Sequence, residues 1–529
     1  MGVDHHDAFV LLALLAAIAA LLAVSPFVRV PYPILLVLGG LAAGFAPGVP
    51  DLELPPDLVL VVLLPPLLYG AAFFTSLRDL RTNIRPIGLL AIGLVLTTVV
   101  TVAVVAHEVV ELPWAAAFTL GAIVSPTDPI AATAIARRLG VPRRIVAVLE
   151  GESLVNDATA LVAYRVALGA VVSGSFSLWD AGLRFVLGAL GGVVIGLAVG
   201  WIVRQARRRL DDPPVEITIS LMTGYFAFLP AEVVGASGVL AAVTAGIYLG
   251  WHTPELTTAE VRLQGDAVWE IGTFVLNAVL FVLVGLQLPR ILDNLEGTPT
   301  QTLLGYGAAI GATVIGVRLI WVFPATYLPR LLSARIRERD PSPPWQGPAL
   351  IGWAGMRGAV SLAAALALPF TTAAGDTFPG RDLVIFLAFC VILVTLVGQG
   401  LSLPFAIRLL GLEADDAGGR EESKARIHAA EAGLARLDAL GPEDWVREDT
   451  LERLRGMYEF RLSRFAARFD DGDDGAIEER SVDYQRLRRE LLEAERNAIV
   501  ELRRLGRIGD EVMNPILRDL DLEETRLDR

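Results

Sequence analysis

The chain has 529 residues, 54% hydrophobic and 19% charged, against roughly 45–50% and about 25% in an average soluble domain. Its charge is segregated: residues 413–529 hold 52 of the 103 charged side chains, and their 21 basic and 31 acidic residues supply −10 of the net −13. Disorder, collagen and a disulfide scaffold are excluded; the single cysteine, Cys390, allows no internal disulfide or thiolate metal site, and an acidic tail is a poor nucleic-acid ligand.

Runs of about 20 apolar residues mark membrane-spanning helices. Thirteen are predicted, at residues 8–25, 31–47, 57–74, 86–106, 113–136, 144–172, 179–203, 215–230, 236–250, 267–288, 302–328, 348–369 and 383–409. The eighth and ninth are short and interrupted by Pro230–Gly238, so twelve is the alternative count. Met1–Asp7 is acidic and lacks the basic start of a cleaved signal peptide, so the first span is expected to stay.

Loop arginines set the orientation. One alternate set of loops carries 17, in groups at Arg29, Arg78–Arg85, Arg137–Arg144, Arg204–Arg209, Arg262 and Arg330–Arg339; the opposite loops carry only Arg184, Arg290 and Arg381. This predicts a multi-pass protein of the cell (inner) membrane, with its N-terminus outside and its C-terminus cytoplasmic. Residues 1–412 form the transmembrane domain and 413–529 a cytoplasmic helical domain. In the latter, Asp415–Gly419 reads as a linker, Ile427–Leu440, Leu451–Phe469 and Tyr484–Leu505 as helices, and Asp470–Gly475 as an acidic break. A solvated helical domain is the simpler reading of this tail; a regulatory or dimer-stabilising module is the functional one.

Polar groups and broken backbone are costly in hydrocarbon, so three places in the spans demand a reason. The fifth span contains Ser125-Pro-Thr-Asp-Pro129, whose two prolines remove backbone donors and open the helix near Thr127. The sixth contains Glu152, Ser153, Asn156 and Asp157, spaced to lie on one helical face. The twelfth has Gly352, Gly355 and Gly358 around Arg357, and the eleventh adds Arg318. Breaks in spans five and twelve, seven apart, fit inverted six-helix repeats, spans 1–6 against 8–13, with two discontinuous helices that cross.

At such a crossing, Asp128 can face the positive half-helix ends and Arg357 the negative ones. Arg357 or Arg318 neutralises one carboxylate, Glu152 by preference. Asp157 is then left without a fixed partner and needs a proton or a metal cation. Burial disfavours its bare charge, so the two ligands compete for one oxygen pair, the chemical minimum for exchanging a cation against protons. Oxygen ligands from Asp157, Ser153 and freed carbonyls of the fifth helix suit a hard monovalent cation, and no His or Cys cluster offers a transition-metal site. Arg165 and Asn277 read as helix–helix glue, and Glu216 as an exposed carboxylate at a helix start. Ser361, Thr159 and Tyr164 fit either role.

At these residues the sequence resembles the monovalent cation/proton antiporters of the sodium/hydrogen exchanger type. The resemblance covers nearly all of residues 8–410 and rests on Ser125–Pro129, Gly151-Glu-Ser-Leu-Val-Asn-Asp157, Ser237-Gly-Val-Leu-Ala241, Asn277 to Gly285, and Gly355-Met-Arg-Gly-Ala359, in that order. It implies a homodimer with dimerisation and mobile core subdomains that give alternating access. It also implies that Asp157 binds cation or proton, with Ser153 and the Thr127 carbonyl as further Na+ ligands and Asp128 and Glu152 as acidic groups around the ion. Arg357 would bridge Asn156 and Glu152, and Arg318 would be the second structural arginine. Asn at 156, where electrogenic relatives carry Asp, resembles the bacterial electroneutral branch, one cation for one proton.

The resulting expectation is an antiporter exchanging Na+, with K+ and Li+ as further candidates, for H+ in pH and sodium homeostasis. It is no enzyme, has no catalytic residue, and needs no cofactor beyond the transported ions. The alternatives are a K+/H+ antiporter or a cation channel on the same fold. Glu152 and Asp157 argue against an anion transporter, and the Tyr-Asp and Gly-x-Gly-Asp strings of intramembrane aspartyl proteases are absent.

Overall fold

The computed structural model describes residues 30–46, 58–173, 178–210, 212–295, 298–412, 417–466 and 476–527, with isolated positions 16, 19, 20 and 23. The predicted first span lies otherwise outside the described residues. The chain divides into two compact units, Met1–Ala414 and Asp415–Arg529. The regular secondary structure of the described residues is helical, apart from an isolated bridge between Thr371 and Thr377.

Each of the other twelve predicted spans has its helix or pair of half-helices in the first unit. The ambiguous stretch resolves into Pro213–Val233 and Gly238–Leu256, separated by a turn at Gly235, which has φ +77°. That left-handed conformation suits glycine. Among the described residues, six helices are long and apolar enough to cross a membrane on length and composition alone. The fifth and twelfth fall short because they are broken. Three spans also contain π-helical stretches, Leu58–Leu63, Leu89–Leu94 and Val394–Gln399, which the apolar periodicity did not anticipate.

By packing, the spanning helices form two bundles. A companion bundle contains Tyr32–Gly44, Leu58–Phe73, Leu178–Arg207, Pro213–Val233, Gly238–Leu256 and Ala259–Leu286. Its helices approach closely at Gly-x-x-x-Gly pairs: a Cβ on Gly196 would collide with the Ala241 carbonyl oxygen, and one on Gly250 with that of Phe73. A site bundle contains Ile84–Glu108, Trp114–Val124, Ile130–Arg138, Arg143–Ser173, Thr300–Leu332, Gln346–Trp353, Ala359–Leu366 and Arg381–Leu410. The two meet where Leu154 and Ala158 cluster with Leu64, Leu68, Phe228, Val239 and Val243.

Three arginine-bearing loops converge on Asp340, whose carboxylate takes Arg144 and Arg330 at 2.8 Å each and also Arg85. Burial alone would raise this carboxyl; the hydrogen bonds and charges of Arg144 and Arg330 outweigh it and hold the group below the usual carboxylate range. The loops after spans three, five and eleven therefore share one face, as the arginine alternation requires. On the other face, the Ala373 amide reaches the Val172 carbonyl at 3.1 Å and the Ser237 amide that of Gly188 at 2.9 Å.

Glu216 corrects the sequence reading. It is 1% exposed and pairs with the buried Arg207 at 3.3 Å. The buried Arg207 at the end of the preceding helix takes the place of the solvent that a helix-start carboxylate ordinarily meets.

The second unit contains Ala417–Leu440, Glu448–Ala466, Ala476–Arg504 and Asp510–Leu527. The predicted linker is shorter than read, because helix already begins at Ala417. The third helix starts at Ala476, ahead of the predicted Tyr484, and the fourth was not anticipated. The acidic break at 470–475 lies outside the described residues.

Candidate ion-binding site

Pro126 and Pro129 lack amide hydrogens, so the fifth span stops at Val124 and resumes as Ile130–Arg138. The glycines of the twelfth do the same: Gln346–Trp353 gives way to non-helical backbone until Ala359–Leu366. The two unwound segments cross and bond directly, with the Asp128 amide donating to the Met356 carbonyl at 2.8 Å. Contact is so close that a Cβ on Gly358 would overlap Asp128 Oδ2.

The half-helix ends are matched by charge. Asp128 Oδ1 accepts from the Ile130 amide at 2.9 Å, at the start of one half-helix, and its other oxygen lies beside Gly358, at the start of another. Arg357 Nε donates to the Val124 carbonyl at 3.1 Å, where the first half-helix ends, and its Nη1 donates to the Gly355 carbonyl. The Arg357 amide donates to Thr395 Oγ1 at 3.1 Å.

Glu152 is 1% exposed and belongs to Arg318, which is fully buried and donates to both carboxylate oxygens at 2.5 and 2.8 Å. Thr127 Oγ1 donates to Glu152 Oε1 at 3.0 Å and accepts from Asn156 Nδ2 at 2.8 Å. The same amide reaches the Thr127 carbonyl at 3.2 Å. This corrects one inherited role: Arg357 makes no hydrogen bond to Asn156 or Glu152 among the described residues. Arg318 neutralises the glutamate, and Thr127 links it to the asparagine. Arg357 is held instead by carbonyls of the opened backbone.

Asp157 stands apart. It is 8% exposed, and no ion pair or hydrogen bond to its side chain occurs among the described residues. Asp128 and Asp157 are the chain neighbours of Thr127 and Asn156, whose side chains are hydrogen-bonded to each other at 2.8 Å. Ser153, half-buried, is on the same face one turn earlier. Asn156 Oδ1 is buried without a donor among the described residues. An unpaired carboxylate, a second carboxylate, a hydroxyl and an amide oxygen thus gather beside an opened helix, a set of hard oxygens without a fixed counter-charge for Asp157.

Of the other polar residues, Thr159 bonds the Val155 carbonyl of its own helix and Ser361 is buried. Arg165 bonds another helix, through Glu232. Asn277 Oδ1 and Tyr164 Oη are buried without hydrogen-bond partners among the described residues. Thr395 and Gln399 were missed. Thr395 steadies Arg357, while both polar atoms of the buried Gln399 amide lack partners among the described residues. Their signal was a Thr and a Gln four residues apart in the middle of the largely apolar thirteenth span.

The family model for the transmembrane sodium/hydrogen exchanger matches residues 10–409. A Na(+)/H(+) antiporter of Aphanothece halophytica is 32% identical over 517 residues, 97% of this chain and 95% of that protein. An uncharacterised Na(+)/H(+) exchanger of Mycobacterium tuberculosis is 38% identical over 524 residues, 98% and 96% of the two chains. The sodium, potassium, lithium and rubidium/H(+) antiporter of Bacillus subtilis is 36% identical over 408 residues, 75% of this chain and 60% of that one. The sodium proton antiporter MjNhaP1 of Methanocaldococcus jannaschii shares the fold, with a TM-score of 0.58 at 21% identity over 77% of this chain and 99% of that one. The chain belongs to the sodium/hydrogen exchanger family, a class of membrane-embedded multi-pass transporters.

Proposed function

We propose that this protein exchanges a monovalent cation, Na+ first and K+ or Li+ as further candidates, for H+ by alternating access. The observation that carries the reading is Asp157: a buried carboxylate without a fixed partner among the described residues, beside a neutralised Glu152–Arg318 pair and an opened helix. A bare carboxylate there is costly, so it holds either a proton or a cation, and exchange follows when the site faces each side in turn. Ser153, the Thr127 carbonyl and Asp157 are proposed Na+ ligands, with Asp128, Asn156 and Glu152 around them and Arg318 and Arg357 holding the frame. We place the arginine-rich face in the cytoplasm of a cell-membrane homodimer, and the exchange at one cation per proton.

The test is reconstitution in liposomes acidic inside, with a pH-sensitive dye. Sodium, potassium, lithium or choline is added outside, with and without valinomycin to clamp the voltage. Cation-dependent alkalinisation that ignores the voltage is expected. Current at fixed pH without proton movement would support a channel instead.

A further inference from the structure

Along the sixth span, Leu154, Ala158, Leu161 and Arg165 follow at intervals of four, three and four, one stripe of the helix. The first three belong to the cluster shared with Leu64, Leu68, Phe228, Val239 and Val243 of the companion bundle. The fourth ends the stripe with an ion pair to Glu232, near the end of Pro213–Val233. Arg165 lies eight residues past Asp157, about 12 Å further along the helix, away from the arginine-rich face. An apolar seam beside the site thus finishes in a charge pair at the opposite face.

The two partners are held differently. Glu232 is fixed within the companion bundle: its Oε1 accepts from the Gly238 amide at 3.0 Å, at the start of Gly238–Leu256. Arg165 belongs to the helix that carries Asp157. The side chains are 47% and 29% exposed, so water can replace each partner as the pair opens, and an exposed pair is weak enough to break repeatedly.

We propose that Arg165 and Glu232 form a reversible lock between the site bundle and the companion bundle, closing the seam on the face opposite the arginine-rich loops and opening in every transport cycle. The lock rests on the alternating-access reading above. It acts through the position of the bundles and touches no transported ion. A purely structural staple would stay closed during exchange.

The experiment converts the pair into a covalent one. Arg165→Cys and Glu232→Cys are introduced with Cys390→Ser, which removes the only native thiol. A short, thiol-cleavable bifunctional reagent joins them in reconstituted protein, and coupling is confirmed by mass. Sodium-driven proton movement is expected to fall to the empty-liposome level and to return on reduction. Cross-linked protein that exchanges at the reduced rate would overturn the lock. A wild-type protein without exchange would instead defeat the antiporter reading.

If the cysteine variant is inactive when reduced, substitution of Arg165 alone decides, since it leaves Glu232 on the Gly238 amide. Arg165→Gln is expected to change the exchange rate about two- to five-fold, the range of an exposed pair, and Arg165→Lys, which keeps the charge, to restore it. Arg165→Gln exchanging at the wild-type rate would also overturn the lock.

Discussion

Among the described residues, each bundle holds a buried arginine–glutamate pair, and only one of the two lies in the candidate site. Arg318–Glu152 is bidentate and continues through Thr127 and Asn156 to within one residue of Asp157. Arg207–Glu216 is a single contact at 3.3 Å, and Arg207 Nη1 is buried without a partner among the described residues. The same chemistry therefore does different work. In the companion bundle the pair ties the end of one helix to the start of the next. In the site bundle it gives Glu152 a fixed counter-charge, which Asp157 lacks among the described residues.

Breaking the site pair is expected to have the larger effect. Arg318→Met leaves Glu152 buried without its counter-charge, costing about 3–5 kcal/mol of stability. Glu152 then also competes for the ion, so exchange is lost in whatever protein folds; thermal unfolding in detergent and liposome flux read the two effects separately. Glu216→Gln is expected to cost a comparable amount of stability, on the order of 3 kcal/mol, yet to leave exchange per folded molecule unchanged. Equal loss of exchange in both variants would erase the distinction between the bundles. Arg207→Met with Glu216→Leu sharpens it, because an apolar replacement of a buried pair is expected to recover the stability lost by Glu216→Gln.

Gly358→Ala tests the crossing itself. The added methyl overlaps the Asp128 carboxylate, so about 1–3 kcal/mol of overpacking strain is expected, together with slower exchange. Unchanged flux would mean that Asp128 is free to move away. The smallest effect is expected at Asp340→Asn, about 1 kcal/mol or less for a partly exposed pair. Because its carboxyl is held low, that contribution is present above the ordinary carboxylate range and is lost as pH falls through the depressed value. Unfolding measured at neutral pH and again in acid should therefore separate wild type from Asp340→Asn only at neutral pH.

Much of the fold was legible because hydrocarbon enforces simple rules. Apolar runs gave the spans, and Pro126, Pro129 and the glycines about Arg357 marked the two breaks, since each removes helical hydrogen bonding or propensity locally. The half-helix ends met the expected charges, Asp128 at amide ends and Arg357 at carbonyl ends. Partner choice was less legible. Whether Arg318 or Arg357 took Glu152 depends on how the eleventh and twelfth spans approach the sixth, and no spacing within one helix encodes that. Glu216 was misread for a similar reason: its burial and its pairing with Arg207 on the preceding helix depend on how two helices pack, which the pattern of one helix does not encode. The π-helical turn carrying Thr395 left no trace in apolar periodicity, because an extra residue in one turn shifts the register without changing composition.

The most direct test counts protons released when the cation binds. Purified protein in a weakly buffered detergent solution is titrated with sodium at several pH values, and the pH change is recorded for wild type and Asp157→Asn. If one oxygen pair serves both ligands, wild type releases close to one proton per sodium at pH values where the empty site is protonated, and Asp157→Asn releases none. Proton release by Asp157→Asn equal to wild type would contradict the assignment of the shared site to Asp157.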